Sequence, residues 1–394
     1  MSKDPRASLV AVARAAGGVT EVADGVWLVS DPALTERLLA NEDALTARAD
    51  LRTAVTDWGQ DGLTSWMAAR RAMRPALASS GVAWFVPVMV DLTRQVLARW
   101  PSSGVVDGMR EAVGVVSAIN THYVLGEPSE TVSTLVADEL DAAERAGSAS
   151  PRRRRRRRLD RAQRRTYSAV LDHVRGGRTG RRGLLDVLDD DERTVALALR
   201  TMLLSGHRVP AAALAWAFHE LATHPDAQER ARREAVAHRV RPADDRNPTA
   251  GLRYCQAVVR ETLRLHPPVW RFERQLATPA TVGGGGVRGG EFPAGATLRF
   301  SNHVNQRDQD VYPDPDEFRP ERWRGPEPQP APGSYFPFGL GPRFCPGSGL
   351  ALTELTVVLA TVLGEHRLAP YRSPGTPRGV LDAPVGLRLR VTRT

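Results

Sequence analysis

The segment from Phe338 to Gly347 constrains this chain more than any other part of its sequence, because it sets Cys345 among glycines and aromatic residues. Glycines at positions 339, 341 and 347 allow tight turns, in part with positive φ, and Phe338 and Phe344 supply apolar cover. A strongly helical segment follows, and the positive end of a helix stabilises a thiolate. These features suit a cysteine that donates charge to a metal, while a lone cysteine more often only fills space in a core; both interpretations stay open at this point.

The bulk composition is compatible with a large helical protein that encloses a prosthetic group. The chain has 394 residues, of which 42% are hydrophobic and 25% are charged, as in ordinary globular proteins. No apolar run reaches the roughly 20 residues of a membrane span, and Met1 to Val10 lacks a secretory signal. Two cysteines form no disulfide framework, so we expect a cytoplasmic protein without a membrane partner, in which Cys255 is inert packing.

The net charge of +9 comes almost entirely from arginine, since Lys3 is the one lysine. Stacking aromatic residues do not alternate with the arginines and no groove-reading motif occurs, so we expect no nucleic-acid partner. Arg152 to Arg158 is a run of seven arginines that repel one another. It is interpreted either as an exposed helix or loop, or as an electrostatic dock for an acidic partner or substrate.

Periodicity predicts a mainly α fold with a small β region, in one domain over 1–394 with its strands at about 20–60 and 270–310. A strand is predicted at 25–30, followed by a capped helix, and short strands at 272–304. The proline at position 210 lacks an amide proton and predicts a kink or break in one of the helices. These helices are predicted over 64–77, 89–100, 111–125, 191–223, 252–265 and 350–363.

Several motifs together resemble the cytochrome P-450 family. The haem-binding signature of that family is matched by Phe338, Gly339, Gly341, Arg343, Cys345 and Gly347. Glu261-Thr-Leu-Arg264 is similar to the family's Glu-x-x-Arg helix, and i,i+3 spacing puts these two charges on one face. The segment from Phe318 to Trp323 follows, in which Arg322 completes an ionic triad. The resemblance covers most of the chain and implies the cytochrome P-450 fold with haem b.

The resemblance also implies roles for single residues. Cys345 is the implied proximal iron ligand, whose electron donation favours cleavage of the O–O bond. The loop residues Phe338, Gly339 and Gly347 surround that sulfur, and Gly206 lies on the long helix across the haem. Glu261, Arg264 and Arg322 have an implied structural role on the proximal side. Contacts to the haem propionates are implied for Arg343, Trp66, Arg70 and Arg274, the last preceding a sheet.

The long helix departs from the family pattern. Where relatives carry an acid followed by an alcohol, this chain has Arg208 and Val209. Valine donates no hydrogen bond and arginine stays protonated, so neither relays protons to bound dioxygen. Three interpretations follow: water or a substrate group supplies the protons, another oxidant such as peroxide is used, or the protein does not activate oxygen. His207 titrates near neutrality, but histidine precedes the acid in many relatives without a catalytic role.

The part between positions 126 and 206 looks shorter than in relatives, which predicts a reduced lid over an open distal pocket. An open pocket favours a bulky, extended or tethered substrate, such as a small molecule, a peptide or a carrier-bound intermediate. The electron donor is predicted to be a ferredoxin that docks on Arg70, Arg71, Arg74 and Arg343. The position of Arg208 favours either a substrate carboxylate or a structural ion pair. Substrate contacts are inferred from position for Trp58, Val209, Val269, Trp270 and Arg271.

The resulting function is oxidative tailoring of a bacterial natural product by a haem-thiolate enzyme. The absent relay and the open pocket favour oxidative coupling or crosslinking of aromatic groups, as in a peptide, over hydroxylation by a conventional monooxygenase. Two alternatives remain at this stage: a catalytically silent member that helps a partner enzyme, and a haem-based sensor or carrier.

Overall fold

The computed structural model describes residues 4–40, 45–46, 62–146, 153–176, 183–238, 247, 249–284, 287–325, 330–375 and 381–394. Trp58 and Arg152 lie outside these residues. The helices are α1 (Pro5–Ala16), α2 (Pro32–Ala40), α3 (Gly62–Leu77), α4 (Ser79–Val82), α5 (Val86–Leu97), α6 (Gly108–Leu125), α7 (Glu130–Ala146), α8 (Arg153–Arg175), α9 (Glu192–Thr223), α10 (Pro225–His238), α11 (Arg253–Leu265), α12 (Asn302–Asn305) and α13 (Ser348–Glu365).

The strands are short and form three small sheets. They are β1 (Val19–Ala23), β2 (Val26–Val29), β3 (Leu45–Thr46), β4 (Ser103–Asp107), β5 (Phe272–Leu276), β6 (Ala280–Gly284), β7 (Val287–Phe292), β8 (Thr297–Phe300), β9 (His366–Arg372) and β10 (Arg388–Arg393). The largest sheet has the order β1-β2-β8-β5-β3, the second β4-β10-β9, and the third β6-β7. Only β2 and β8 pair in parallel among the described strands.

The mainly α fold with a small β region is confirmed, and the predicted helices lie where the periodicity put them. Strand β4 was not predicted; it pairs with β10 along the register Leu389 to Val106. Its alternation is weak because Ser103 and Gly104 begin it, so the sequence carries no clear period-2 signal.

Helix α9 runs through the centre of the protein. Asp191 caps it by accepting hydrogen bonds from the backbone amides of Arg193 and Thr194. The predicted break at Pro210 was wrong, because the helix continues from Glu192 to Thr223 with that proline inside it. Tertiary packing on both halves of the helix holds it together: α6, α8 and α13 all pack against it.

Helix α13 is apolar on nearly all sides because it is a core helix. By length and hydropathy it meets the criterion for a membrane span, as does the bent pair Trp66–Leu77 with Ser79–Leu97. Two thirds of α13 is buried inside the protein, as expected for the central helix of a folded domain.

Helices α7 and α8 occupy the segment in which a reduced lid was predicted. They have 17 and 23 residues, and they pack on each other and on α9. The arginine run forms the exposed start of α8, so the interpretation as an exposed helix describes its structure.

Candidate active site

The loop before Cys345 is shaped by two glycines in the left-handed region. Gly339 has φ 75° and Gly341 has φ 67°. A Cβ on Gly341 would lie 2.1 Å from the carbonyl oxygen of Leu39, so no other residue fits there. The loop closes through a hydrogen bond of 2.9 Å from the amide of Cys345 to the carbonyl of Phe338. Gly347 has φ −87°, so the positive φ expected there does not occur.

The Cys345 thiol lies just before the N-terminus of α13. Burial raises its pKa, while a hydrogen bond from the Gly347 amide and the positive charge of Arg70 lower it. Burial has the larger effect, so the pKa of the thiol is raised in the chain by itself, and the thiolate at Cys345 stays a prediction that depends on a bound metal. Phe338 lines the cavity beside Cys345, but Phe344 is 44% exposed. The ring of Phe344 packs edge-on against that of Phe338, with 6.4 Å between the centroids, so it covers the loop in part.

The carboxylate of Glu261 is the centre of a buried ionic network on α11. It accepts hydrogen bonds from Arg264 Nε at 2.9 Å, from Arg322 Nε at 2.9 Å and from the indole of Trp323 at 2.8 Å. Glu261 and Arg264 are fully buried. Arg264 also donates to the carbonyl of Gln306 at 2.9 Å, so the network ties the loop after α12 to α11. This geometry is what a bracing role for the three predicted residues requires.

The distal wall of the cavity is formed by α9, and Asn120 of α6 packs against it. A Cβ on Gly206 would lie 2.4 Å from Oδ1 of Asn120, so the glycine makes room for this amide. The amide nitrogen of Asn120 donates to the carbonyl of Leu203 at 3.0 Å. Pro210 has no amide proton for the carbonyl of Gly206, which leaves that oxygen without its helical donor.

The side chains of Arg208 and Val209 diverge. Val209 lines the cavity, as the sequence inferred, whereas Arg208 turns to α7 and forms ion pairs with Asp141 and, at 2.9 Å, with Glu144. Arg208 therefore occupies the structural ion pair, which was one of its two predicted roles. His207 is buried and does not line the cavity; burial, with the adjacent Arg208 charge, lowers its pKa to about 4.

A cavity of about 690 Å³ lies between the Cys345 loop and α9. Its polar rim includes the guanidinium groups of Arg274 and Arg343, and Trp66 of α3 also lines it. Predicted residues that meet in this lining are Trp66, Gly206, Val209, Val269, Arg271, Arg274, Phe338, Gly339, Arg343, Cys345 and Gly347. No described residue of α7 or α8 lines the cavity, which suits an open pocket.

Other predicted residues lie elsewhere. Trp270 packs with Leu9, Leu28 and Val304 in a separate small core, so its predicted substrate contact was wrong. Arg70 does not line the cavity; its guanidinium donates to the carbonyl of Phe344 and so supports the cysteine loop.

Arg274 differs from its prediction in its place along the chain. It lies within β5 rather than before the sheet, because the strand already begins at Phe272. Its guanidinium donates to the carbonyl of Glu273 at 2.8 Å and lies over the Phe272 ring.

Sequence reasoning missed six polar residues that line this cavity: Asn120, Thr201, Ser205, Glu273, Asn302 and Glu354. One side-chain oxygen of Asn302 and one of Glu354 are buried without a hydrogen-bond partner among the described residues. Burial raises the pKa of Glu354 well above its usual value, which favours the neutral acid. A neutral polar residue in an apolar helix leaves no periodic signal, so only the fold could reveal these residues.

The lining fits a planar, mainly apolar group that is ligated by sulfur and carries acids on one edge. The thiol of Cys345 stands on one wall, and Gly206, Val209 and Ala213 form the apolar wall opposite. Two arginines at the rim provide charge-assisted donors for carboxylates. These are the properties of the haem that the sequence predicted for this site.

Comparison with known proteins assigns the family. The cytochrome P-450 family model matches residues 152–379, more than half of the chain. Cyclooctat-9-en-7-ol 5-monooxygenase of Streptomyces melanosporofaciens is 28% identical over 341 residues, which cover 78% of this chain and 71% of that protein. A putative cytochrome P-450, number 137, of Mycobacterium tuberculosis is 29% identical over 381 residues, covering 86% and 74%. The chain therefore belongs to the cytochrome P-450 family.

Solved structures agree with this assignment. CYP175A1 from Thermus thermophilus has a TM-score of 0.79 at 27% identity and covers 99% of this chain and 95% of that one. CYP102L1 has a TM-score of 0.82 at 24% identity, covers 99% and 98%, and shows the shared fold. The fold is therefore the cytochrome P-450 fold, and the family implies a haem-thiolate cofactor and an oxidoreductase of the monooxygenase class that needs a redox partner.

Proposed function

We propose that this protein is a haem-thiolate monooxygenase that oxidises an apolar bacterial natural product, with haem b held by Cys345. The observation that carries the proposal is the cavity that sets the Cys345 thiol opposite the apolar side chains of Val209, Pro210 and Ala213. The similarity to a monooxygenase that is named for a cyclooctatenol supports an apolar substrate. We also propose that residues 1–394 form one such domain and that it acts in the cytoplasm.

Each wall has a distinct task in this proposal. Cys345 holds the iron, and Arg274 and Arg343 hold the carboxylates at the rim. When bound, the haem supplies oxygen activation, which electron donation by the thiolate favours. Val209 and Val269 bind apolar substrate and exclude water from the centre of the pocket.

Protons must reach the distal side by a route other than an acid and an alcohol. Asn120, Thr201 and Ser205 line the same cavity, and Ser205 Oγ donates to the carbonyl of Thr201 at 2.8 Å. The carbonyl of Gly206 lacks its helical donor. This cluster of acceptors and donors suits bound water, so we propose that water supplies the protons.

Turnover in isotopically labelled dioxygen tests the proposed reaction. The full chain is reconstituted with haem, a ferredoxin and its reductase, and is supplied with cyclic terpenoid alcohols and aromatic peptides. The proposal expects a terpenoid product that has gained one labelled oxygen atom. A product that has lost two hydrogen atoms, formed a new ring bond and gained no label contradicts it.

Oxidative coupling of aromatic groups is the second candidate. Arg208 and Val209 stand where relatives carry the acid and the alcohol, and no described residue of α7 or α8 lines the cavity. Both features favour coupling, because coupling removes electrons and protons from the substrate without oxygen insertion. The substitution Val209→Thr separates the two. If the reaction is hydroxylation, a restored hydroxyl raises the oxidised product formed per electron supplied; if it is coupling, that ratio stays unchanged.

A ferredoxin-type donor is the proposed electron source. Arg71 and Arg74 are exposed on α3, next to Arg70, whose guanidinium bonds to the loop that carries Cys345. An acidic ferredoxin is attracted to such a surface, and the attraction weakens with salt. Stopped-flow reduction that is equally fast at low and at high salt contradicts this docking site.

A catalytically silent helper and a haem-based sensor remain as alternatives. The intact Cys345 loop and the fitting cavity count against a helper, which needs no thiolate ligand. Turnover with reductant and substrate distinguishes an enzyme from a sensor.

A further inference from the structure

A groove between α7 and α8 holds a concentration of positive charge that the proposed reaction does not use. Its volume is about 580 Å³. Arg145 of α7 lines one side. The other side is lined by arginines of α8, namely Arg154, Arg155, Arg157, Arg158, Arg161 and Arg165.

Four of these seven charges are not neutralised within the described parts of the chain, whereas Arg145 pairs with Asp141. All six α8 arginines are exposed. Arg154, Arg157, Arg158 and Arg161 form no ion pair with any carboxylate whose position is described. Asp138 is the acid in the lining, against seven arginines. Like charges so close repel one another, and an anionic ligand would relieve that repulsion.

The position of these arginines at the N-terminus of α8 adds to the unfavourable electrostatic energy of the run. Arg153 to Arg158 form the first turns of α8, and the first turn contains no acid. The N-terminus of a helix carries partial positive charge, so cations there are unfavourable and anions are favourable. An occupant with carboxylates would offset both the repulsion among the arginines and the helix dipole.

The floor of the groove distinguishes between kinds of polyanion. Leu135 and Ala142 of α7 and Ala162 of α8 line it, so apolar residues accompany Arg145 and the α8 arginines. A single-stranded nucleic acid would use aromatic residues for stacking, which the lining lacks, and the phosphates of a duplex would leave the apolar residues uncovered. A membrane surface would need large apolar side chains on the outer face of α8, where Arg153 to Arg158 are exposed instead.

We propose that the groove between α7 and α8 binds an acidic, amphipathic segment of a partner protein. Arg154, Arg158 and Arg161 recur along one face of α8, which suits a helix with carboxylates at matching spacing. Apolar residues of the same segment contact Leu135 and Ala142. The groove adjoins the distal side, since Asp141 of α7 pairs with Arg208 of α9. It is separate from the α3 surface proposed for the electron donor.

Binding of a labelled synthetic peptide to the full chain tests this proposal. The peptide has about 20 residues, with glutamates on one helical face and leucines and alanines on the other. Fluorescence anisotropy is measured for wild type, for Arg154→Glu with Arg158→Glu, and for Arg153→Glu with Arg156→Glu. The second pair is the matched control, because it lies in the same run and changes the charge equally but does not line the groove.

We expect wild type to bind the peptide with an affinity that falls as salt rises, and the groove pair to weaken binding at least about tenfold more than the control pair. Equal losses in both pairs would show a general charge effect and overturn the proposal. So would tighter binding of a DNA duplex, or of vesicles of phosphatidylglycerol and phosphatidylcholine, than of the peptide. If charge reversal unfolds α8, the same two pairs are substituted by glutamine instead of glutamate, and their peptide affinities are compared in the same way.

Discussion

The buried polar groups of α11 and those of α9 differ in whether they have hydrogen-bond partners. On the side of Cys345, the buried carboxylate of Glu261 is bonded to Arg264, Arg322 and Trp323. On the α9 side, Nδ1 of His207 is buried without a hydrogen-bond partner among the described residues, and Arg208 turns away to α7. The Glu261 network of α11 is thus held by satisfied charge, whereas His207 and Arg208 of α9 depend on packing and on an ion pair to α7. Reaction chemistry can change on the distal side without loss of the support for the cysteine loop.

The largest effect is expected where the charge is fully buried. Substitution Glu261→Gln leaves the Arg264 guanidinium buried without its counter-charge and lowers the free energy of unfolding by about 3–5 kcal/mol. Urea denaturation measures this change in the free energy of unfolding. As a control, Glu192→Gln removes the exposed pair with Arg175 and changes stability by less than about 1 kcal/mol. If Glu261→Gln and Glu192→Gln lower the free energy of unfolding equally, the buried Glu261 network is no more stabilising than an exposed ion pair, which contradicts this account.

The distal side is expected to respond to pH through His207. Its pKa of about 4 lies below the ordinary value of 6.5, so between these values the unfolded chain binds more protons than the folded chain. Stability conferred by the neutral ring is complete above pH 6.5 and falls by about 3 kcal/mol as the pH drops to 4.

Substitution His207→Leu tests this pH dependence. In this variant the free energy of unfolding between pH 4 and pH 7 should lose the part of its pH dependence that comes from His207. Substitution of the half-buried His224 by Gln should keep that part. If the free energy of unfolding of His207→Leu depends on pH as in wild type, the imidazole is solvated in the folded protein.

A smaller effect is expected from Arg208. Substitution Arg208→Leu removes partly exposed ion pairs to Asp141 and Glu144, which lowers the free energy of unfolding by about 1 kcal/mol. The spectrum of bound substrate should not change, because the guanidinium does not line the cavity. Arg208→Lys should retain most of the stability. A substrate spectrum altered by Arg208→Leu would show instead that Arg208 reaches the ligand.

The same contrast explains how much of the site the sequence could predict. Residues with charged partners or fixed turns form local motifs, so Glu261, Arg264, Arg322 and the loop of Cys345 could be located by their resemblance to the motifs of the family. Packing across distant helices leaves no such motif. The contact of Asn120 with Gly206 joins α6 to α9, and the outward turn of Arg208 depends on acids in α7.

Of the kink or break predicted at Pro210, the break does not occur, for a related reason, and the kink stays a prediction. Local propensity predicted a break there, but the packing of α9 against α6, α8 and α13 outweighs the one lost hydrogen bond. The substrate contact of Trp270 was inferred from its place after Pro268, whereas the fold turns its ring into a separate core.

The reduced, carbon monoxide-bound absorption spectrum tests the central claim most directly. It is recorded on the full chain, on Cys345→Ser and on Cys255→Ser, where Cys255 is the buried cysteine of α11. We predict the absorption band typical of thiolate-ligated haem in wild type and in Cys255→Ser, and its loss in Cys345→Ser. A wild-type chain that takes up no haem, or a thiolate band that survives in Cys345→Ser, would contradict the account.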